Sequence, residues 1–236
     1  MATVNHEKAA GIAGLLFAAG VATQNGALLQ GMPLPGAPTE AVLSFYVSHA
    51  WPATIATGWV AINVPLLLVF GSGIAERLGR RAAGSLWSRV GFGGIVLLAA
   101  AFSVTTLLQA VLLARADVLH RAGMLGLVWD LHAAAFAMSG TALSGALGAY
   151  CLGSLRAEVV PRWVAIAGLV GAVLLVLSGT SIVRTVSGGP GIFLQLAGFV
   201  TWLLFVVTGS LRLLRAEGEP LPAHAQLQVP TLSATE

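Results

Sequence analysis

Apolar residues fill six long stretches of the chain, and polar residues are concentrated in the segments between them. The stretches are Ala9–Leu29, Pro52–Ile74, Val90–Ala114, Gly123–Leu152, Trp163–Arg184 and Ile192–Leu214. Each can cross the roughly 30 Å apolar core of a bilayer, which needs about 20 residues of α-helix. In lipid every backbone polar group needs a hydrogen-bond partner within the protein, so a spanning segment is either a helix or a strand of a closed barrel. No stretch shows the alternation with a period of two that a barrel strand requires. The pattern therefore predicts an all-α integral membrane bundle of six transmembrane helices.

Composition supports this class. Of the 236 residues, 57% are hydrophobic and only 9% are charged, whereas soluble domains carry about 25% charged residues. Too few charges remain to cover a water-facing surface, which argues against a soluble enzyme or a disordered chain. The 12 basic residues are scattered between apolar stretches, so we expect membrane lipids as partners and no nucleic acid.

The basic residues also predict an orientation. With the N-terminus inside, nine lysines and arginines fall on the inner side, and only Arg115, Arg121 and Arg184 fall outside. The positive-inside rule then favours six spans with both termini cytoplasmic. We expect one multi-pass domain over residues 1–215 in the cell inner membrane, followed by a flexible cytoplasmic tail over 216–236.

The first stretch has an alternative interpretation. Lys8, the apolar run after it and the small residues Gly20 and Ala22 resemble a secretory signal with a cleavage site. We favour a retained helix, because the chain stays largely apolar beyond that point.

The first outer loop contains its own structural signals. Three prolines in Gly31–Pro38 forbid regular helix and predict a linker. Thr39 then suits the N-cap of a short helix over Glu40–His49. Its Tyr46, and Trp51 just beyond, favour a position at the outer membrane interface.

Small residues predict how the helices pack, since in lipid they let backbones approach closely. The fourth span contains such a stripe from Ala133 to Gly148, and the third and fifth spans offer Gly94 and Gly168. Asn63 stands close to Pro65 in the second span, so its side chain is a candidate to satisfy the carbonyl that the proline leaves unpaired.

Asp130 is the one acidic residue well inside a predicted span. An ionisable group at that depth is costly in lipid, so we expect it to face the bundle, on the same side as Ala133 and Ala137. His132 lies about 200° around the helix from Asp130. We expect it to pack against neighbouring side chains and not to bind a metal through its ring nitrogens.

Other polar and aromatic residues converge on the outer half of the predicted bundle. We predict a pocket there, with Asp130 as the catalytic or central residue. The predicted substrate-binding residues are Gln24, Asn25, Trp59, Asn63, Gln109, Trp129, His132, Arg184, Gln195 and Trp202. A pair of Asp130 with Arg184 would be a purely structural alternative.

A carboxyl group that keeps its proton could protonate a double bond, with aromatic faces stabilising the cation. In size and in this logic the chain is similar to small integral-membrane terpene cyclases, although none of their local motifs matches. Acid–base chemistry on a lipid or isoprenoid is therefore the first hypothesis. A proton-coupled permease and a structural subunit are the alternatives.

Cofactor and metal motifs are missing from the sequence. The five histidines lack HxxxH or HExxH spacing, and the single cysteine, Cys151, excludes a CxxC motif. We expect no metal and no cofactor.

Three local features carry a resemblance to a group of proteins. They are the Arg-Leu-Gly-Arg-Arg loop at Arg77–Arg81, the Val-Pro-Arg-Trp entry at Val160–Trp163 and the tryptophan at Trp202. With them the chain resembles uncharacterised six-span membrane proteins of high-GC Gram-positive bacteria. The resemblance implies the topology and no activity.

Overall fold

The computed structural model describes residues 2–28, 31–81 and 84–215, which form helices joined by short turns. The helices are α1 (Ala2–Leu28), α2 (Thr39–Ser48), α3 (Ala50–Gly79), α4 (Ser85–Arg121), α5 (Leu125–Ala157), α6 (Arg162–Thr180), α7 (Ile182–Val186) and α8 (Gly191–Arg215). No strand occurs in these ranges, which confirms the all-α class. The predicted tail over 216–236 lies outside the described residues.

Five helices are long and apolar enough to cross a membrane: α3, α4, α5, α6 and α8. They coincide with the second to sixth predicted spans. Large apolar side chains on their outer faces are exposed, among them Ile62, Leu97 and Val173. Such a surface is unfavourable in water and suits acyl chains, so the chain is consistent with a membrane-embedded, multi-pass protein.

The first predicted span forms a helix but is not one of the five. Helix α1 is 27 residues long. Its apolar run is shortened by His6, Glu7 and Lys8 near one end and by Gln24 and Asn25 near the other. Polar residues of this kind lower the hydropathy of the helix as a whole.

Two predicted boundaries are corrected. The third span was expected to end at Ala114, but α4 continues to Arg121 across a non-helical residue, Arg115, with φ −139° and ψ 16°. The fifth was expected to reach Arg184, whereas α6 ends at Thr180 and Arg184 belongs to the separate helix α7. Both corrections fall beyond the apolar core of the helix, where polar residues and turns compete with helix continuation.

The short helix α2 is confirmed, but its predicted cap is wrong. The N-cap residue is Pro38, in an extended conformation with φ −56° and ψ 144°, and no side chain caps the helix. Thr39 is the first helical residue and its hydroxyl donates to Glu40 Oε1 instead. Proline's fixed φ suits the residue before the helix and moves the start by one position.

The long helices form a closed ring. In chain order, each of α1, α3, α4, α5, α6 and α8 packs against the next, and α8 packs back on α1. Helix α5 is the most deeply buried of the five span candidates. Of its most apolar stretch 61% is buried, compared with 39% or less in the other four. Contacts with α3, α7 and α8 add to those with its ring neighbours.

Glycines set the close contacts of α5, as the sequence predicts. A Cβ on Gly94 of α4 would lie 2.6 Å from the backbone nitrogen of Ala146, so the two helices touch backbone to backbone. Gly91 makes room for the ring of Tyr150, and Gly168 of α6 makes room for the sulfur of Cys151. The cysteine is buried and acts as a small apolar packing group.

Aromatic rings fill the centre of the bundle. Trp202 stacks on Phe205 with centroids 6.0 Å apart and meets Phe70 edge-on at 6.2 Å. Tyr150 also stacks on Phe205, and its hydroxyl donates to the Gly71 carbonyl at 2.8 Å. This cluster joins α3, α5 and α8.

Charged residues tie α1 to α3 at one end of the bundle. Arg80 lies 2.6 Å from Glu7 of α1 and 3.0 Å from Glu76 of its own helix. Burial alone would lower the pKa of Arg80, but the hydrogen bonds and charges of Glu76 and Glu7 outweigh it and raise that pKa. We call this end, where α3, α5 and α8 finish, the arginine end, and the opposite one, which carries residues 31–38, the linker end.

The two adjacent glycines of α4 provide a direct test of the packing. Gly94→Ala should lower the melting temperature in detergent by several degrees, because the new methyl group meets the α5 backbone. Gly93→Ala is the matched control, since a Cβ there meets nothing within 4 Å. We expect it to be neutral or slightly stabilising, because alanine favours helix. Equal melting temperatures for the two variants would contradict the proposed contact.

Candidate functional site

A cavity of about 190 Å³ lies between α1, α4, α5 and α8 at the linker end. Apolar side chains make up most of its wall, including Leu98, Phe102, Leu143 and Phe199. Residues 32–35 of the linker complete the wall across the end of the bundle. The cavity is therefore bounded by four helices and one irregular segment, as is typical of small-molecule sites between helices.

Three of the buried polar side chains that line this cavity come from three different helices. Gln109 of α4, His132 of α5 and Gln195 of α8 are each 5% exposed or less. Gln195 Nε2 donates to the Phe136 carbonyl of α5 at 2.8 Å. Within the described residues, Gln195 Oε1 and Gln109 Nε2 have no hydrogen-bond partner. Buried polar groups without partners are costly, and both of these atoms belong to residues of the cavity wall.

The imidazole of His132 is held by an aromatic neighbour. It stacks on Trp129 with ring centroids 5.3 Å apart and an angle of 16° between the planes. Across the described ranges, no residue forms a hydrogen bond with this imidazole. Its two nitrogens are thus available to a molecule in the cavity.

Helix α2 supports this stack from behind. Tyr46 meets Trp129 edge-on at 6.4 Å, and it is itself packed against Phe45. Burial raises the pKa of the Tyr46 hydroxyl well above its ordinary value, so the phenol stays neutral. The predicted interfacial helix thus packs against the wall of the cavity.

The structure contradicts the expected direction of Asp130. This side chain is exposed and does not line the cavity. Ala133 and Ala137, expected to share its face, are buried. The buried side of α5 includes these two alanines and extends around the helix to Trp129 and His132, which are buried against neighbouring helices. Asp130 falls just outside that side, about 8 Å along the axis from the helix start at 1.5 Å per residue.

The alternative pairing of Asp130 with Arg184 is also absent from the described residues. Arg184 is exposed on the short helix α7, and no salt bridge between the two occurs within the described residues. Arg184 does not line the cavity.

Six of the remaining predicted residues come together as expected. They are Gln24, Asn25, Gln109, Trp129, His132 and Gln195, all of which line the cavity. His132 lines the cavity and lies about 200° around α5 from Asp130, which is exposed outside the cavity.

Three others lie nearby without lining the cavity. Asn63 was expected to satisfy the backbone near Pro65, but its Nδ2 donates to Gln24 Oε1 at 3.1 Å, so it orients a cavity residue from behind. Trp59 is 40% exposed on α3 and lies against Gly20. Trp202 is fully buried one helical turn beyond Phe199, in the filled centre of the bundle.

Several cavity residues were not predicted. Thr105, Thr106 and Ser139 line it, together with Phe136 and the linker residues. Ser139 could have been found, since it shares the His132 side of α5 at a spacing of seven residues. The linker residues have no periodic pattern, and nothing in the sequence shows that they fold back over the helix ends. In the described ranges, no cluster of three metal-ligating side chains occurs.

Comparison of the chain with protein-family models, with curated proteins and with solved structures finds no match.

The linker is held in place by a contact between two glycines, and this can be tested. Gly36 has φ +77°, and a Cβ there would lie 2.9 Å from the backbone of Ser187 and Gly188. Placing alanine in a left-handed conformation costs roughly 1–2 kcal/mol by itself. Gly36→Ala should lower the free energy of unfolding by more than this amount, because the new methyl group also meets the backbone of Ser187 and Gly188. Gly123→Ala is the control, because it has φ +69° with open space around it. The measurement is the melting temperature in detergent, and a fall no larger than that of the control would contradict the contact.

Proposed function

We propose first that α1 is a sixth transmembrane helix. It occupies a full place in the ring, between α3 and α8. Glu7 bonds Arg80 at the arginine end, and Gln24 bonds Asn63 towards the linker end. These two residues are about 26 Å apart along a helix, close to the thickness of the bilayer core.

The exposed face of α1 supports the same proposal. Ile12 and Leu16 are 46% and 54% exposed, while Phe17 and Val21 are buried against the bundle. A helix with apolar residues on both its inner and its outer faces suits a position between protein and lipid. Six spans place both chain ends on one side, and the basic residues make that side the cytoplasm.

Tags on the two chain ends test this topology. We expect an N-terminal tag and a C-terminal tag to be protected alike in intact cells, and to become accessible together after permeabilisation, because six crossings return the chain to its starting side. Five crossings would leave the tags on opposite sides. Accessibility of one tag alone in intact cells would contradict the sixth span.

We further propose that the linker-end cavity binds a small lipophilic molecule that carries a hydroxyl or carbonyl group. One observation carries this: Gln109, His132 and Gln195, buried polar side chains from three helices, lie in the wall of one largely apolar cavity. A hydroxyl can both accept from an amide nitrogen and donate to an amide oxygen, and a carbonyl can accept from the nitrogen. Apolar walls would hold the rest of the molecule.

The position of Asp130 removes the carboxyl chemistry from this proposal. Among the described residues that line the cavity, the titratable side chain is that of His132, stacked on Trp129. Any proton transfer to a bound molecule would therefore involve the imidazole. Binding is favoured over passage, because the aromatic cluster of Phe70, Trp202 and Phe205 fills the bundle beyond the cavity.

Substitutions that fill the cavity or remove its polar groups test the binding. Ala133→Leu should fill part of the space, because Ala133 is buried in the wall. His132→Phe should keep the stack on Trp129 while removing both nitrogens. The measurement is solvent extraction of the purified protein in nanodiscs, followed by mass spectrometry. We expect the extract of the unaltered protein to contain a small lipophilic molecule, and the recovered amount of that molecule to fall several-fold in both variants.

Exposed positions provide the controls. Ala100→Leu makes the same change on the outer face of α4, and Asp130→Asn changes a side chain outside the cavity. Both should recover the molecule at the level of the unaltered protein. Loss on Asp130→Asn with retention on His132→Phe would overturn the assignment, and would favour the carboxyl-centred hypothesis.

A further inference from the structure

A second cavity lies at the arginine end of the bundle and is independent of the proposed lipophilic site. It measures about 290 Å³ and lies where α3, α5, α6 and α8 begin or end. Four arginines line it, with a single carboxylate among them: Arg77, Arg81, Arg162, Arg212 and Glu158. At neutral pH the cleft therefore carries an excess of three positive charges.

The hydrogen-bonding groups of these arginines are largely unused. Arg77 donates to the Arg212 carbonyl at 3.2 Å and lies 3.7 Å from Glu7. In the part of the chain that the structure describes, Arg81, Arg162 and Arg212 have side chains that form no hydrogen bond or ion pair. Three guanidinium groups with unused donors thus converge on one space.

Arg162 lies at the electrostatically unfavourable end of its helix for a cation. Cations are stabilised at the C-terminal turns of helices, where Arg77 and Arg212 lie. Arg162 is instead the first residue of α6, at the positive end of that helix, and no side chain caps it. An anion in the cleft would offset both the dipole and the repulsion between the arginines.

The surroundings favour a lipid as the source of that anion. The cleft lies at the level where spans end, and the large apolar side chains next to it are exposed. Trp163 is 62% exposed beside Arg162, and Leu211 is 40% exposed beside Arg212. Tryptophan at this level is typical of the headgroup region, and basic pockets between transmembrane helices bind phosphate-bearing headgroups.

We propose that this cleft is a specific site for the phosphate headgroup of an anionic lipid in the adjacent leaflet. Arg81, Arg162 and Arg212 bind the phosphate oxygens, and Arg77 is held by its contacts with Glu7 and Arg212 as the base of the site. Glu158 opposes a second negative charge, so the site prefers a headgroup with a single charged phosphodiester.

Generic attraction to a negatively charged membrane has to be separated from such a site. If only that attraction acts, the loss of any one basic residue near the surface weakens lipid binding by about fivefold. Arg89 provides the matched control, because it is an exposed arginine at the same end of the bundle and does not line the cleft. Arg89→Gln and Arg162→Gln therefore remove the same charge at different places.

The experiment is native mass spectrometry of the full chain with phosphatidylglycerol as the probe, and with phosphatidylcholine and inorganic phosphate for comparison. We expect one tightly bound phosphatidylglycerol. The double variant Arg162→Gln/Arg212→Gln should weaken its binding by at least about 100-fold, since each arginine contributes a charge-assisted hydrogen bond. Arg89→Gln should weaken it by about fivefold or less, and Glu158→Gln should strengthen it.

Each outcome decides the proposal. Equal losses for Arg89→Gln and Arg162→Gln, or a Glu158→Gln variant that binds no more tightly, would overturn a specific site. Saturable binding of inorganic phosphate that displaces phosphatidylglycerol would assign the cleft to a free anion instead of a lipid. Melting temperatures of all variants without lipid show whether they fold. If the double variant Arg162→Gln/Arg212→Gln does not fold, Arg81→Gln, a single change at an exposed position, replaces it.

Discussion

The close approach of α4, α5 and α6 is the constraint on which the rest of the structure depends. Lipid chains are as apolar as leucine, so helices gain little from burying leucines against each other, and small residues must supply tight contact instead. Gly94 brings α4 onto the backbone of α5 at Ala146, and Gly168 brings α6 onto the same helix at Cys151. Helix α5 is the most deeply buried of the five span candidates, and it meets its ring neighbours through small residues on two sides.

The same constraint explains where the cavity lies. Towards the arginine end, α5 presents small residues such as Ala146 and Gly153, and its neighbours pack closely. Towards the linker end, its inner side carries Trp129, His132 and Phe136. The cavity lies beside these side chains, between α5 and helices α1, α4 and α8. Close helix contacts and the cavity thus occur at different levels of α5.

The all-α class and five of the six predicted spans could be predicted from the sequence, because twenty apolar residues in a row have few alternatives to a buried or membrane-spanning helix. The direction of a single side chain could not. Neighbouring residues differ by 100° around a helix, and the buried arc of α5 is set by its partners. The stripe from Ala133 to Gly148 identified a packing face but not its edge, and Asp130 lies just beyond that edge.

Polarity was a better guide to the site than charge. The amides Gln24, Asn25, Gln109 and Gln195 were predicted to converge, and they do. An amide is costly in lipid and has no means of reaching the interface, so it must turn towards the protein. The guanidinium of an arginine close to a helix end can extend to the headgroups instead, on a long flexible side chain. This difference explains why Arg184 is exposed while the uncharged residues define the cavity, and why guanidinium groups gather at the other end of the bundle, in the cleft of Arg81, Arg162 and Arg212.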